Sequence, residues 1–207
     1  MAEDQTIEQV QAQASVGRIV VVRHGKPNLD RDAGPRLNWR EYRDWWAAYE
    51  NAPLDEGQSP PRKLLHAARN AKFIFASIRP RAIQTAQAVA SGRDVVQDEV
   101  FVEATLPPPH WPESRRFLPR TWNKIARMAW MLGHADEGDE DVHAAHERAS
   151  QAADRLVSAA QDGHDVVLAA HGWFNRMLRP ELKKRGWVCR RDGGDAYWSF
   201  RIYEKRG

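Results

Sequence analysis

Two stretches of this chain are apolar without alternation, Ile19-Val20-Val21-Val22 and Val166-Val167-Leu168-Ala169-Ala170, and each runs straight into a motif that contains a histidine. A strand with one wet face alternates apolar and polar residues. One that does not alternate is buried on both faces, as in a parallel sheet covered by helices on each side. Arg23-His24-Gly25 follows the first run and His171-Gly172 the second, while a third run, Phe73-Ile74-Phe75-Ala76, leads into Ser77-Ile78-Arg79-Pro80-Arg81-Ala82-Ile83-Gln84-Thr85-Ala86. Chemistry in an open α/β sheet sits outside the carboxyl ends of its strands. Three strand ends therefore bring two imidazoles and several guanidinium groups to one rim, a set suited to binding a phosphoryl group and accepting it on a histidine.

The remaining pattern predicts the layers around that sheet. Trp39, Tyr42, Trp45 or Trp46, and Tyr49 recur at helical spacing, a stripe that reads as packing and whose place in the chain also allows it to roof the site. Pro60-Pro61 marks a helix start with Leu64, Leu65 and Ala68 on its buried face. Helices are further predicted over 81–91, 121–132, from the acidic turn 136–141 to about Ala160, and over 173–184; strands are predicted over 95–102 and, with alternation, over 197–203. Five prolines between Pro107 and Pro119 make 104–120 a stiff loop. Strands separated by helical crossovers give a three-layer α/β/α fold: a mostly parallel, doubly wound sheet with helices on both faces and an antiparallel edge strand at 197–203.

The 207 residues suffice for one well-buried core, and no Gly/Ser linker divides them, so we read a polar N-terminal arm over 1–17, with a short helix from Ile7 to Ala14, and a single domain over 18–207. No stretch approaches the apolar length that crosses a bilayer, and Glu3 and Asp4 stand where a signal peptide is basic, so a cytoplasmic protein without membrane partners is expected. The lone Cys189 has no internal partner for a disulfide and is poor evidence for a metal or redox site. Net charge is +3, but arginines and lysines are scattered rather than striped, which argues against nucleic acid as a partner. The oligomeric state is not legible.

Taken together, Arg23-His24-Gly25, the Ser77–Ala86 segment with Arg81 and Thr85-Ala86, His171-Gly172, and Pro53-Leu54 followed by Gly57 resemble the histidine phosphatase (phosphoglycerate mutase-like) superfamily over residues 18 to 180. The resemblance implies a phosphatase that hydrolyses small phosphomonoesters through a phosphohistidine on His24, without cofactor or metal. Arg23, Arg81 and His171 would hold the phosphoryl group, and Glu103 would protonate the leaving alkoxide and later activate water, with Glu99 as runner-up. Ser77 and Asn28 either touch phosphate or only shape turns. Lys26, Trp111 and Gly172 are candidates for contacting the rest of the substrate, and Trp173 either lines the pocket or packs beneath it.

The chain also departs from the family pattern. Lys26-Pro27-Asn28 stands where many members have an acidic residue, and Ala104 to Trp111 replaces a Trp-Glu-Gly stretch, so the pocket is unlike that of a glycolytic mutase. A phosphomutase using the same residues, and a silent module that binds phospho-ligands, are the competing readings. His143 and His146 have a ligand-like spacing but sit in a polar helical stretch, which reads as a solvated face rather than a zinc site. Arg115 and Arg116 are either substrate contacts or ordinary surface charges.

Overall fold

A computed structural model of the chain describes residues 16–161 and 163–206. The helix expected over 7–14 lies outside them. The strands are β1 (Ile19–Arg23), β2 (Ala71–Ala76), β3 (Val96–Gln97), β4 (Asp165–Ala170), β5 (Trp187–Asp192) and β6 (Phe200–Lys205), and the helices are α1 (Trp39–Glu50), α2 (Arg62–Ala68), α3 (Pro80–Ala90), α4 (Pro119–Met131), α5 (Val142–Ala160) and α6 (Gly172–Lys184). They form one six-stranded sheet in the order β3-β2-β4-β1-β6-β5, with β1, β2, β3 and β4 parallel and β6 and β5 antiparallel additions.

Period-two geometry divides each buried strand between two layers. Ile19 and Val21 pack with Ala149, Ala153 and Leu156 of α5 and Phe174 and Leu178 of α6; Val20 and Val22 pack with Leu64 of α2 and Ala86 and Val89 of α3. A third cluster lies off the sheet, where Trp39 and Tyr42 of α1 meet Trp122 and Ala126 of α4, with Leu37 and Leu106 between them. The start of α1 is fixed by a reciprocal cap: Asn38 accepts from the Glu41 N–H, and the Glu41 carboxylate accepts from the Asn38 N–H. No helix among the described residues is long and apolar enough to cross a membrane.

Three expectations are corrected. The strand over 95–102 shrinks to Val96–Gln97, because the Asp98 side chain accepts from the Val100 N–H and winds Glu99–Phe101 into a single 3₁₀ turn that buries Phe101. The alternating C-terminal strand begins at Phe200, after Trp198 adopts a left-handed φ of 61°, and it is not at the edge. It inserts between β1 and an unanticipated edge strand, β5, whose Cys189-Arg190-Arg191-Asp192 is exposed and so carries no apolar signal. On α2 the inner face is Leu64, Ala67 and Ala68, and Leu65 is turned outward.

Leu156 is fully buried between α5 and the sheet. Its truncation to alanine is expected to lower the free energy of unfolding by about 3 kcal/mol, read from a urea midpoint that shifts at constant slope.

Candidate active site

The register of the parallel strands brings the histidines together. Arg23 pairs with Ala170 and Ala76 with Ala169, so the residues just beyond the pairs, His24, His171 and Ser77, emerge side by side. The His24 N–H donates to the Ala170 carbonyl at 2.9 Å, and the Ser77 N–H to the Ala169 carbonyl at 3.2 Å. The two imidazole centroids are 5.2 Å apart, and both rings are buried.

Their hydrogen-bond partners assign the tautomers. His24 Nδ1 lies 2.7 Å from the Gly25 carbonyl, which can only accept, so Nδ1 carries the proton and Nε2 presents a lone pair to Arg81 Nε, which donates to it at 3.3 Å. His171 has the opposite assignment. Its Nδ1 accepts from Arg81 Nη2 at 3.2 Å, and its Nε2–H donates to Ser77 Oγ at 2.8 Å. Burial first, and the Arg81 charge second, push both imidazoles well below the ordinary histidine pKa, so both are neutral at pH 7.

Arg81 enters from the first turn of α3 and is 1% exposed. Besides the two imidazoles it donates through Nη1 to the Tyr49 and Glu50 carbonyls (2.9 and 2.8 Å) and through Nη2 to Glu50 Oε1 (2.6 Å). Arg23 donates to the Asp195 carbonyl and stacks over Tyr197, 4.4 Å from its centroid, while its Nε is buried without a partner. A Cβ on Gly172 would come within 3.2 Å of that Nε, so the absence of a side chain there keeps the approach to it open. Tyr197 also covers His24 at 5.6 Å, and its hydroxyl lies 3.4 Å from that of Tyr49. Beneath this roof the His24 loop is pinned: the Gly25 N–H donates to Thr85 Oγ1, and a Cβ on Gly25 would fall 2.6 Å from the Trp198 ring. Gln58 bonds both the N–H and the carbonyl of Lys26 and accepts from the Trp198 indole N–H.

Glu103 sits at the N-terminus of α6. Its carboxylate accepts from the Trp173 and Phe174 N–H groups at 3.0 and 2.7 Å and from its neighbour Ala104 at 3.1 Å. Glu103, Trp46 and Leu106 are shared by two adjoining cavities. One, of 750 Å³, also takes in Arg23, Arg31, Lys124, Arg127, Gly172 and Trp173; the other, of 460 Å³, takes in Glu50, Arg79, Asp136 and Asp139. Arg127 Nη1 in the larger cavity is buried without a partner.

Other candidates lie elsewhere. Lys26 is half-buried and paired with Asp30 and Asp55, Asn28 is exposed and engaged only through its backbone with Pro53, and Trp111 packs outward on Phe117 and Trp122. None of the three lines either cavity, nor does the exposed Glu99. Arg116 pairs with Glu41 at the surface and His143 with Glu147, and no group of His, Cys, Asp or Glu among the described residues could hold a metal ion. The sequence reading missed Glu50, Tyr197, Gln58 and Arg127, which no local motif marks.

A family model described as the histidine phosphatase superfamily (branch 1) matches residues 19–187. No curated protein sequence matches the chain. Among solved structures, the mycobacterial glucosyl-3-phosphoglycerate phosphatase in complex with VO3 is 25% identical, with a TM-score of 0.52 over 81% of this chain and 82% of that one. The phosphoserine phosphatase of Entamoeba histolytica, as a histidine-to-alanine mutant in complex with phosphoserine, shares the fold at 16% identity, with a TM-score of 0.54 over 81% and 80% of the two chains. With the strand order, the paired histidines and the family match in agreement, the chain belongs to the histidine phosphatase superfamily, branch 1, and is an enzyme of the phosphatase class.

Proposed function

We propose that the protein hydrolyses small phosphomonoesters through a phosphohistidine on His24. The observation that carries this reading is the His24 tautomer: Nδ1–H is tied to the Gly25 carbonyl, so the Nε2 lone pair is directed toward the guanidinium that would hold the phosphoryl group.

A phosphomonoester dianion would replace the imidazole nitrogens as the acceptor for two Arg81 hydrogens and would engage the unpartnered Arg23 Nε. His24 Nε2 then attacks phosphorus as the ester P–O bond breaks. Glu103, in its protonated form, gives its proton to the departing alkoxide. The resulting carboxylate takes a proton from water as that water attacks the phosphohistidine; the P–N bond breaks, its electrons return to Nε2, and inorganic phosphate leaves. His171 Nδ1 faces the same edge of Arg81 as His24, where a proton gained with the dianion would let it donate to a phosphoryl oxygen. The leaving group would extend into the larger cavity, which Lys124 and Arg127 line. VO3 bound to the mycobacterial phosphatase is a phosphoryl mimic, which makes vanadate the natural probe here.

In a panel of phosphomonoesters assayed with a chelator present, phosphate release is expected to persist, and His24→Ala is expected to abolish it together with the acid-labile phosphoenzyme seen on rapid quench. Activity that requires a bisphosphate primer would establish the mutase instead. Glu103→Gln is expected to slow alkyl phosphates by about 100-fold or more while leaving p-nitrophenyl phosphate much less affected, because p-nitrophenolate departs without a proton; equal losses would remove Glu103 from the proton-donor role. For stability, the folded protein binds fewer protons than the unfolded chain once the pH drops below the ordinary histidine value of 6.5. Stability is therefore expected to be unaffected by these two groups above that pH and to fall as the pH falls below it, by up to about 1.4 kcal/mol per unit for each histidine. Urea titrations at pH 7.5 and 5.5 check this, and His171→Asn should shrink the difference.

A further inference from the structure

Glu50 ends α1 and is 8% exposed. A glutamate there faces the negative end of the helix dipole, with no basic residue in the last turn of α1 to offset it. Burial adds a desolvation cost. The compensation comes from another element, since Glu50 Oε1 accepts from Arg81 Nη2 at 2.6 Å, and Glu50 Oε2 lies 2.9 Å from Arg79 Nε, an ion pair whose angle is outside hydrogen-bonding range.

The arrangement divides Arg81 into two edges. Both Nη1 hydrogens go to the Tyr49 and Glu50 carbonyls and one Nη2 hydrogen to the Glu50 carboxylate, so three of the five N–H groups are held by the end of α1. The Nε hydrogen and the second Nη2 hydrogen point at His24 Nε2 and His171 Nδ1. A guanidinium is planar and rigid, so fixing three hydrogens on one side sets the direction of the other two.

We propose that Glu50 is a positioning residue: by clamping Arg81 from behind, it aims the two remaining N–H groups at the place the phosphoryl oxygens occupy, and it ties Arg79 to the same anchor. The inference rests on His24, Arg81 and His171 being the phosphoryl site. A carboxylate that instead competed with the phosphoryl group for Arg81 would weaken anion binding, so the two roles have opposite signatures.

The experiment compares wild type with Glu50→Gln for orthovanadate inhibition, for kcat and KM with p-nitrophenyl phosphate, and for thermal midpoint. Loss of a charge-assisted anchor is expected to weaken vanadate binding and lower kcat/KM by roughly tenfold or more, with most of the loss in kcat. Vanadate affinity and kcat equal to wild type overturn the proposal, as does tighter vanadate binding. A lowered thermal midpoint with unchanged vanadate affinity also overturns it, since that marks a purely structural role. If Glu50→Gln does not fold, Glu50→Asp, which keeps the charge but withdraws it by one methylene, is judged by the same outcomes. Wild type that neither turns over nor binds vanadate removes the proposed function and this inference with it, whereas a normal wild type with an unaffected variant removes the inference alone.

Discussion

The buried guanidinium of Arg81 is the interaction on which the arrangement of the rim depends. A cation taken out of water is tolerated only when its hydrogens find acceptors, and Arg81 finds five, on α1, on His24 and on His171. One side chain thus closes the end of a helix that lies off the sheet, links it to the start of α3, and fixes two imidazoles delivered by different strands. Burial holds both rings neutral, and the Arg81 charge adds to it, since an imidazolium beside that guanidinium would face like charge. The neutral form is the one a nucleophilic nitrogen requires.

Around that point the charge is unevenly distributed. The larger cavity collects arginines and a lysine, whereas the smaller holds Glu50, Asp136 and Asp139 beside Arg43 and Arg79, and Glu103 stands where the two meet. A ligand that spans both has mostly basic side chains on one side and mostly acidic ones on the other. Such a gradient orients a polar molecule before any specific contact forms.

Much of this was legible in the sequence because the information is local. Unalternating runs specify doubly buried strands, and residues just past their ends share a rim, so His24, Ser77, Arg81 and His171 could be grouped from adjacency alone. Adjacency alone does not bring Lys26 and Asn28 to either cavity: they adjoin the motif in sequence, but Lys26 pairs with Asp30 and Asp55 and the Asn28 N–H with the Pro53 carbonyl. Trp111 had an aromatic ring and a suggestive loop, yet its nearest aromatic partners are Phe117 and Trp122. Glu50 and Tyr197 were invisible because nothing in their own segments shows which distant arginines they meet. The polar edge strand β5 and the Asp98 turn were missed for the same reason, since pairing and capping there override what composition suggests.

The central position of β6 has a consequence for how the molecule assembles. Ile19 pairs with Tyr203 and Val22 with Phe200, so the first strand is completed on that side by residues from the opposite end of the described chain. Contacts of such long sequence separation form slowly, because a large loop must close before they are rewarded. Trp198, which seats on Gly25, travels with this hairpin. The loop that carries His24 is therefore seated by Trp198 only once this long-range pairing has formed, so the geometry around that imidazole depends on the last strand of the sheet.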